Sequence, residues 1–451
     1  MPDRIAKAAD TLMEHYVFAL LVLGQAALTQ FGVGNAASVG MVGVLLCAAG
    51  LGLHRAARID LWAAVPMAGY CLWGAVSSWA ALGNPVAGYP ATHVIFLTLY
   101  FLMACMDAGE LRLLKRLYAL WAGCAAAISL AMFLFKALTG TAGRLGGLLG
   151  NPNALGTFLV VGWFALLACQ EEDPEGQSVL TRALRRMEPI VLVVLSLTLS
   201  MGSFLAMAAG IGVLLLERRR QGFLALARVL LAKASVCFAA GFLMYLTARQ
   251  TRIPWFCLVL TVWLLALSAH WEVFLRFLRT YAWAAAALAA GGVLVAAAAV
   301  AVRPSALATF AERLEMMENG LHYAARSPLL GLGPGMWREW NLHEGGTYFG
   351  TWHIHNFLIH TAAELGLPAM LMLLAVLVRH FRKSGSPAAA AFVFHNLMDT
   401  TFFSLGVTSL TLVSMGEPGK GGTALSMAVT KGVFVLMLVH FIACMVSFWI
   451  F

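Results

Sequence analysis

What this chain has least of is charge. Asp, Glu, Lys and Arg together make up 11% of its 451 residues, where a soluble domain carries roughly a quarter, and an ordinary soluble fold is excluded on that ground. Strict apolar–polar alternation is equally scarce and the apolar runs are too long for barrel strands, which excludes a transmembrane β-barrel. Cysteine occurs only inside apolar runs, at positions 47, 71, 105, 124, 169, 237, 257 and 444, with neither a disulfide framework nor metal-ligand spacing. These cysteines read as packing residues. No H-E-x-x-H and no G-x-S-x-G occurs, so neither a zinc-protease helix nor a nucleophile elbow is encoded. The net charge of +9 is not gathered into a basic tail or interleaved with aromatics, and nucleic acid is not an expected partner.

What is abundant is hydrocarbon: 61% of residues are hydrophobic and the mean hydropathy is +0.83. A span needs about 20 apolar residues, and lipid admits only helices or closed barrels, because every backbone group must be paired internally. The expected fold class is therefore all-α, a polytopic transmembrane helical bundle in the lipid bilayer. Apolar runs fall at 16–32, 36–53, 61–82, 90–106, 117–138, 153–169, 189–200 with 203–216, 229–248, 253–269, 281–302, 356–378, 388–413 and 424–450. The 189–216 stretch reads as two short helices meeting at Ser200-Met201-Gly202-Ser203. Only an out-and-back path puts the connectors carrying Arg55/Arg58, Arg112/Lys115/Arg116, Arg182/Arg185/Arg186, Arg218/Arg219/Arg220, Arg276/Arg279 and Arg379/Arg382/Lys383 on one, cytoplasmic side. The expectation is about 12–14 spans, both termini inside and 303–355 outside. The organisation expected is a bundle over 1–302 with an outer-side loop at 139–153, a polar loop with short helices over 303–355, and C-terminal helices over 356–451. The start, MPDRIAKAADTLMEHY, lacks a cleavage site and reads as retained; 170–188 reads as a solvated loop.

The remaining polar residues gather between Arg303 and Gly366. Five of the twelve histidines lie from His322 to His360, with Arg303, Arg313, Arg326 and Arg338 and no lysine over 303–360. Arginine on the outer side runs against the usual bias, and Arg144 shares that anomaly. Leu314, Met317 and Leu321 recur at helical spacing, so Phe310–Ala325 is expected to be a helix. Ser327-Pro328 and the G-L-G-P-G at 331–335 then force a turn. That turn lacks the lysine and Ser/Thr of a phosphate loop; it reads as a tight turn between loop helices or as a backbone nest for a diphosphate. Trp352-His353-Ile354-His355-Asn356 opens the next apolar run. At the positive end of a helix an imidazole tends to stay neutral and accept a proton, and phosphate is attracted there. His355 is the candidate base. His343, His353 and His355 form a zinc set only in a loop conformation, because His-x-His on a helix sets its rings about 200° apart, and no metal is expected. His360 and Glu364 are spaced to pair with each other. Asn151 or Asn153 is a helix cap. His395, Asn396 and Asp399 are either an intramembrane functional group or a buried hydrogen-bonded structural set.

Taken together, these residues resemble the bacterial O-antigen ligase and O-antigen polymerase superfamily, integral membrane glycosyltransferases that use polyprenyl-diphosphate-linked glycans. The resemblance rests on R-L-G-G-L-L-G-N-P-N at 144–153, Arg313 ahead of S-P-L-L-G-L-G-P-G at 327–335, H-N-F-L-I-H-T-A-A-E-L-G-L at 355–367, and His395-Asn396 with Asp399. It implies a bacterial inner-membrane protein with a periplasmic site and no cofactor, moving a glycan from an undecaprenyl-diphosphate carrier to an acceptor hydroxyl with inversion and without metal. It puts the catalytic histidine at His355, the loop arginine at Arg313 and the arginine before the Asn-Pro-Asn turn at Arg144. Arg144, Asn151, Asn153, Arg326, Arg338, His353 and Asn356 are expected to bind the diphosphate or glycan. A lipid A-core acceptor makes the enzyme a ligase, the preferred reading; another lipid-linked repeat unit as acceptor makes it a polymerase. Where the family often has Ser-Arg-Gly, this chain has Ser200-Met201-Gly202, so a phosphate-facing cation is missing there or is supplied by Arg249, Arg252 or Arg326. A polysaccharide or lipid transporter is the competing class; it would show repeated halves and broken helices, and the sequence shows one break, at 200–203.

Overall fold

The computed structural model describes the chain except residues 1, 32–35, 54, 218–221, 251–252, 302–305, 345–348, 418–421 and 451. Arg252, Arg303 and the Arg218/Arg219/Arg220 connector lie outside the described residues. Among those described are nineteen α-helices, two short 3-10 turns and one ribbon pairing Arg58–Ile59 with Thr423–Ala424. The fold is all-α, and its apolar helices are those of a multi-pass membrane protein.

The helices are more interrupted than the apolar runs. Four are long and apolar enough to cross a bilayer unaided: Ala108–Leu138, Pro152–Glu172, Phe223–Arg249 and Met427–Ser447. Phe256–Ala269 and Trp271–Thr280 pass that test jointly but are bent by 72°. The expected run 253–269 thus continues into a second, angled helix. The run 356–378 is not one helix either: Phe357–Leu365 stops and Leu367–Lys383 restarts around Gly366, at φ 86° and ψ 168°. The run 388–413 breaks between Pro387–Asn396 and Leu405–Met415. There the Asn396 Oδ1 accepts from the Phe402 N–H at 2.5 Å and the Thr401 hydroxyl at 3.1 Å, replacing main-chain partners lost at the break. Hydropathy averages over such caps and glycines and so reads through them. The 189–216 stretch divides as expected, into Val179–Leu197 and Met201–Glu217. Leu199 between them takes a left-handed φ of 47°.

The helices form two compact units. The first comprises 1–114, 311–384 and 396–451. In it, Ala36–Gly52 lies against Met427–Ile450 with Phe434 and Phe441 buried over Gly50 and Gly43, where a Cβ would collide with the rings. Small residues allow such close helix approach in a membrane. Leu61–Leu82 holds the glycine turn: the Trp73 indole donates to the Leu329 and Leu365 carbonyls at 3.1 Å each, and the Ser77 hydroxyl to Leu330 at 2.6 Å.

The second unit comprises 115–310 and 385–395. Its centre is a carboxylate the sequence reading misplaced. Glu188, assigned to a solvated loop, lies fully buried in Val179–Leu197. It pairs with Lys233 of Phe223–Gln250 and accepts from the Trp163 and Trp271 indoles at 2.9 Å each. The loop expected over 170–188 is helical from Val179 onward, because Ser178 caps that start by accepting from Thr181 N at 3.0 Å.

Replacing Gly366 by Ala is expected to cost about 1–3 kcal/mol, since its backbone conformation is denied to side-chain-bearing residues and a Cβ would strike the Leu329 carbonyl. Gly212→Ala, inside a helix with open space around it, should instead stabilise by about 0.5–1 kcal/mol. Thermal unfolding of the two purified variants in detergent checks the contrast.

Candidate functional site

The first unit gathers its polar groups around the start of Phe357–Leu365. Asn356 is extended, and its Oδ1 accepts from Leu358 N and Ile359 N at 3.1 Å each, which satisfies two orphan donors and starts the helix. Its Nδ2 donates to the Leu397 carbonyl at 3.2 Å, tying the cap to the break in the 387–415 run. His355 therefore stands one residue outside the helix. Its Nδ1 lies 3.9 Å from Asp399 Oδ2, and the same oxygen accepts from Arg313 Nη2 at 2.9 Å. Asp399 Oδ1 takes the Thr400 N–H at 2.8 Å. Arg313, His355 and Asp399 are thus one cluster, contributed by the loop helix Ala306–Arg326, the segment before Phe357 and the helix break.

Two features of that cluster bear on chemistry. His355 Nδ1 and Arg313 Nε are buried without a hydrogen-bond partner. Burial pushes the His355 imidazole below its ordinary range; Asp399 pulls it back up and Arg313 adds to the lowering. The ring is held neutral, with an acceptor nitrogen available and a carboxylate near enough to stabilise the charged form.

A second chain of contacts runs behind the first. Glu364, completely buried, accepts from Gly335 N at 2.8 Å and Trp337 N at 3.1 Å. Both donors belong to the glycine turn and the start of Met336–His343. Of the two readings of this turn, a tight turn or a nest for a diphosphate, the donors a nest would offer are taken by this side chain, because a carboxylate satisfies helix-start donors as a phosphate would. His360 Nε2 lies 3.2 Å from Glu364 Oε2 and 3.2 Å from His353 Nδ1. The Ile354 N–H donates to His360 Nδ1 at 3.3 Å, which leaves the neutral ring's proton on Nε2. His353 also stacks on Phe403, with centroids 4.3 Å apart and planes within 12°. Burial, reinforced by His360, holds His353 well below the usual imidazole range. His353 and His355 thus serve different partners. Among the described residues no three His, Cys, Asp or Glu side chains converge as metal ligands would.

The other expected ligands are distributed as follows. Arg326 is taken up by Glu344, which also accepts from the Tyr323 hydroxyl at 2.9 Å, and stacks over Trp340 at 5.0 Å. It is a half-exposed loop clasp. Arg338 lies over Trp352 at 3.9 Å, with its Nε buried and unpaired. Arg144, Asn151 and Asn153 belong to the second unit. There Arg144 donates to the Thr198 carbonyl and to Asn153 Oδ1 at 3.0 Å each, and Asn153 Oδ1 also receives the Ser200 hydroxyl at 3.0 Å. Asn151 is the cap of Pro152–Glu172, accepting from Asn153 N at 2.8 Å and Ala154 N at 3.3 Å. Arg249 donates to the Tyr245 hydroxyl at 2.5 Å.

Sequence reasoning missed the role of Glu364 and the whole Glu188–Lys233 pair. The second left a signal: Lys233 is a lone charge within a long apolar run, and such a group requires a partner. Compared with known proteins, the chain matches no family model and no curated protein sequence.

Two outcomes follow from these contacts. Glu364→Ala leaves two main-chain N–H groups without their acceptor and should cost about 1–3 kcal/mol for each one that stays dry, read as a lower unfolding midpoint in detergent. Unfolded histidine titrates near 6.5, and folded His353 and His355 titrate below it. In that interval the unfolded chain binds more protons, so their contribution is complete above about pH 6.5 and is lost as pH falls beneath it. His353→Phe should therefore shrink the loss of stability on going from pH 7.5 to pH 5, measured by denaturant unfolding.

Proposed function

We propose that the protein is a glycosyltransferase of the O-antigen ligase type, drawing a glycan from a polyprenyl-diphosphate carrier. The observation that carries this reading is the buried His355 Nδ1, without a hydrogen-bond partner, 3.9 Å from the Asp399 oxygen that Arg313 holds. His355 Nδ1 takes the proton of an acceptor hydroxyl while that oxygen forms a bond to the anomeric carbon. The bond from that carbon to the diphosphate oxygen breaks, the electron pair leaves with the diphosphate, and the configuration inverts. Asp399 stabilises the imidazolium formed on the way. Arg313 keeps Nε and Nη1 for the leaving diphosphate while Nη2 remains on Asp399; a guanidinium suits this because it is permanently charged and binds phosphate oxygens in pairs. Arg144 is proposed as a further diphosphate ligand on the sequence resemblance alone. A positioned base contributes roughly 10²–10⁴-fold, and a diphosphate needs charge neutralisation more than protonation to leave. The acceptor under this reading is a lipid A-core sugar. The membrane is the bacterial inner membrane, with the site on its periplasmic side.

The polymerase reading differs only in acceptor. The transporter reading draws on the broken helices around Gly366 and Asn396, since discontinuous helices form midplane sites in transporters. Purified protein given a lipid-linked glycan and either acceptor separates all three. Transfer to lipid A-core supports the ligase, transfer to a second lipid-linked unit the polymerase, and binding with no transfer the transporter. His355→Gln should lower turnover by about 10²–10⁴-fold with donor binding retained; wild-type turnover would remove His355 from its role. The acid limb of the wild-type pH–rate profile should fall below pH 6.5, following the lowered His355 imidazole.

A further inference from the structure

The second unit holds a cavity that the transfer chemistry does not use. Its volume is about 530 Å³, and Arg185, Arg228, Lys233 and Arg279 line it against two carboxylates, Glu171 and Glu272. That size is ordinary for a small-molecule site. The cations are not equally committed. Arg185 is spent: it pairs with Glu272 at 2.7 Å and donates to the Asp173 and Pro174 carbonyls at 2.8 and 2.7 Å. Lys233 gives one N–H to Glu188, leaving two of an ammonium's three donors, on a side chain 5% exposed. Among the described residues Arg228 uses only Nε, on the Leu224 carbonyl at 3.2 Å. Arg279 has no partner among the described residues. Apart from the Gln170 amide, the remainder of the wall is apolar, including Leu226, Leu230 and Leu278.

The helix forming one side of the cavity is that of an interfacial segment. Trp271–Thr280 turns 72° from the apolar helix before it. It buries Trp271, Leu275 and Leu278 inward and exposes Val273 and Phe277 together with Arg276 and Arg279. Exposed Tyr281 and Trp283 follow. A short helix with one apolar face, basic residues at its edge and aromatic neighbours lies at the headgroup level of a bilayer. The basic connectors that contribute Arg185 and Arg279 are the ones expected on the cytoplasmic side.

We infer that this cavity binds the phosphate headgroup of an anionic phospholipid, with Arg228, Arg279 and Lys233 on the phosphodiester and the first acyl carbons along the aliphatic wall. The buried Glu188, which also accepts from two indoles, holds Lys233 at the inner wall of the cavity, where its ammonium also lies over the Trp163 ring at 5.4 Å. The inference is independent of the transfer reaction, because neither Arg144 nor any residue of the Arg313–His355–Asp399 cluster lines this cavity.

The test is native mass spectrometry of the full chain in detergent, titrated with phosphatidylglycerol, with phosphatidylcholine of the same chains and with inorganic phosphate. One phosphatidylglycerol should be retained per chain in preference to phosphatidylcholine. The double variant Arg228→Ala/Arg279→Ala, which changes two surface residues and leaves the Glu188–Lys233 pair intact, should weaken that binding about tenfold or more. Equal retention of the two lipids, wild-type affinity in the double variant, or displacement by inorganic phosphate at equal concentration would overturn the assignment.

Discussion

The polar loop of the first unit depends on one carboxylate kept away from water. Glu364 receives the N–H groups of Gly335 and Trp337 and lies against His360. A helix start has N–H groups with no partner of their own, and burying them unmet costs about as much as a lost hydrogen bond each. Through His360 the same contact reaches His353 and the Ile354 amide. The glycine turn, the short helix after it and the bent segment carrying His355 are thereby fixed to a single side chain. Removing it loosens the approach to His355 without touching that residue.

Breaks in apolar helices supply the rest of the arrangement. A bilayer punishes every unpaired main-chain group, and at several helix ends a side chain supplies the partner, while at Gly366 the Pro328 carbonyl does so for Leu367 N. Asn356 caps one, Asn396 feeds another, and Asn151 opens a third in the second unit. These amides are the cost of bending, and they place polar groups where an unbroken helix would put only hydrocarbon. Asp399 meets Arg313 because the chain departs from a helix between Asn396 and Ser404.

The second unit is organised by the opposite kind of feature, a closed ion pair. Glu188 and Lys233 sit almost wholly inside, with both Glu188 oxygens also bonded to indoles. Such a pair is expensive to desolvate and adds little net stability, but breaking it leaves an uncompensated charge. The pair and the two indole bonds tie together the helices carrying Trp163, Glu188, Lys233 and Trp271.

Composition was enough to establish an all-helical membrane protein, because a chain so poor in charge and so rich in long apolar runs has no other way to pair its backbone. The glycine turn at 331–335, the helix before it, the His360–Glu364 pair and an asparagine cap at 151 or 153 were readable too, since each depends on neighbours within a few residues; the cap at Asn356 was not. Arg313 and His355 were legible as candidates, but not that Asp399, which no local spacing links to either, stands between them. The occupant of the glycine nest, the fate of Arg326 on Glu344, the breaks at Gly366 and Asn396 and the burial of Glu188 were settled only by the folded chain. Each depends on a partner distant in sequence or on a cap that hydropathy averages away. Local sequence sets what a backbone can do; which charge answers which is a property of packing.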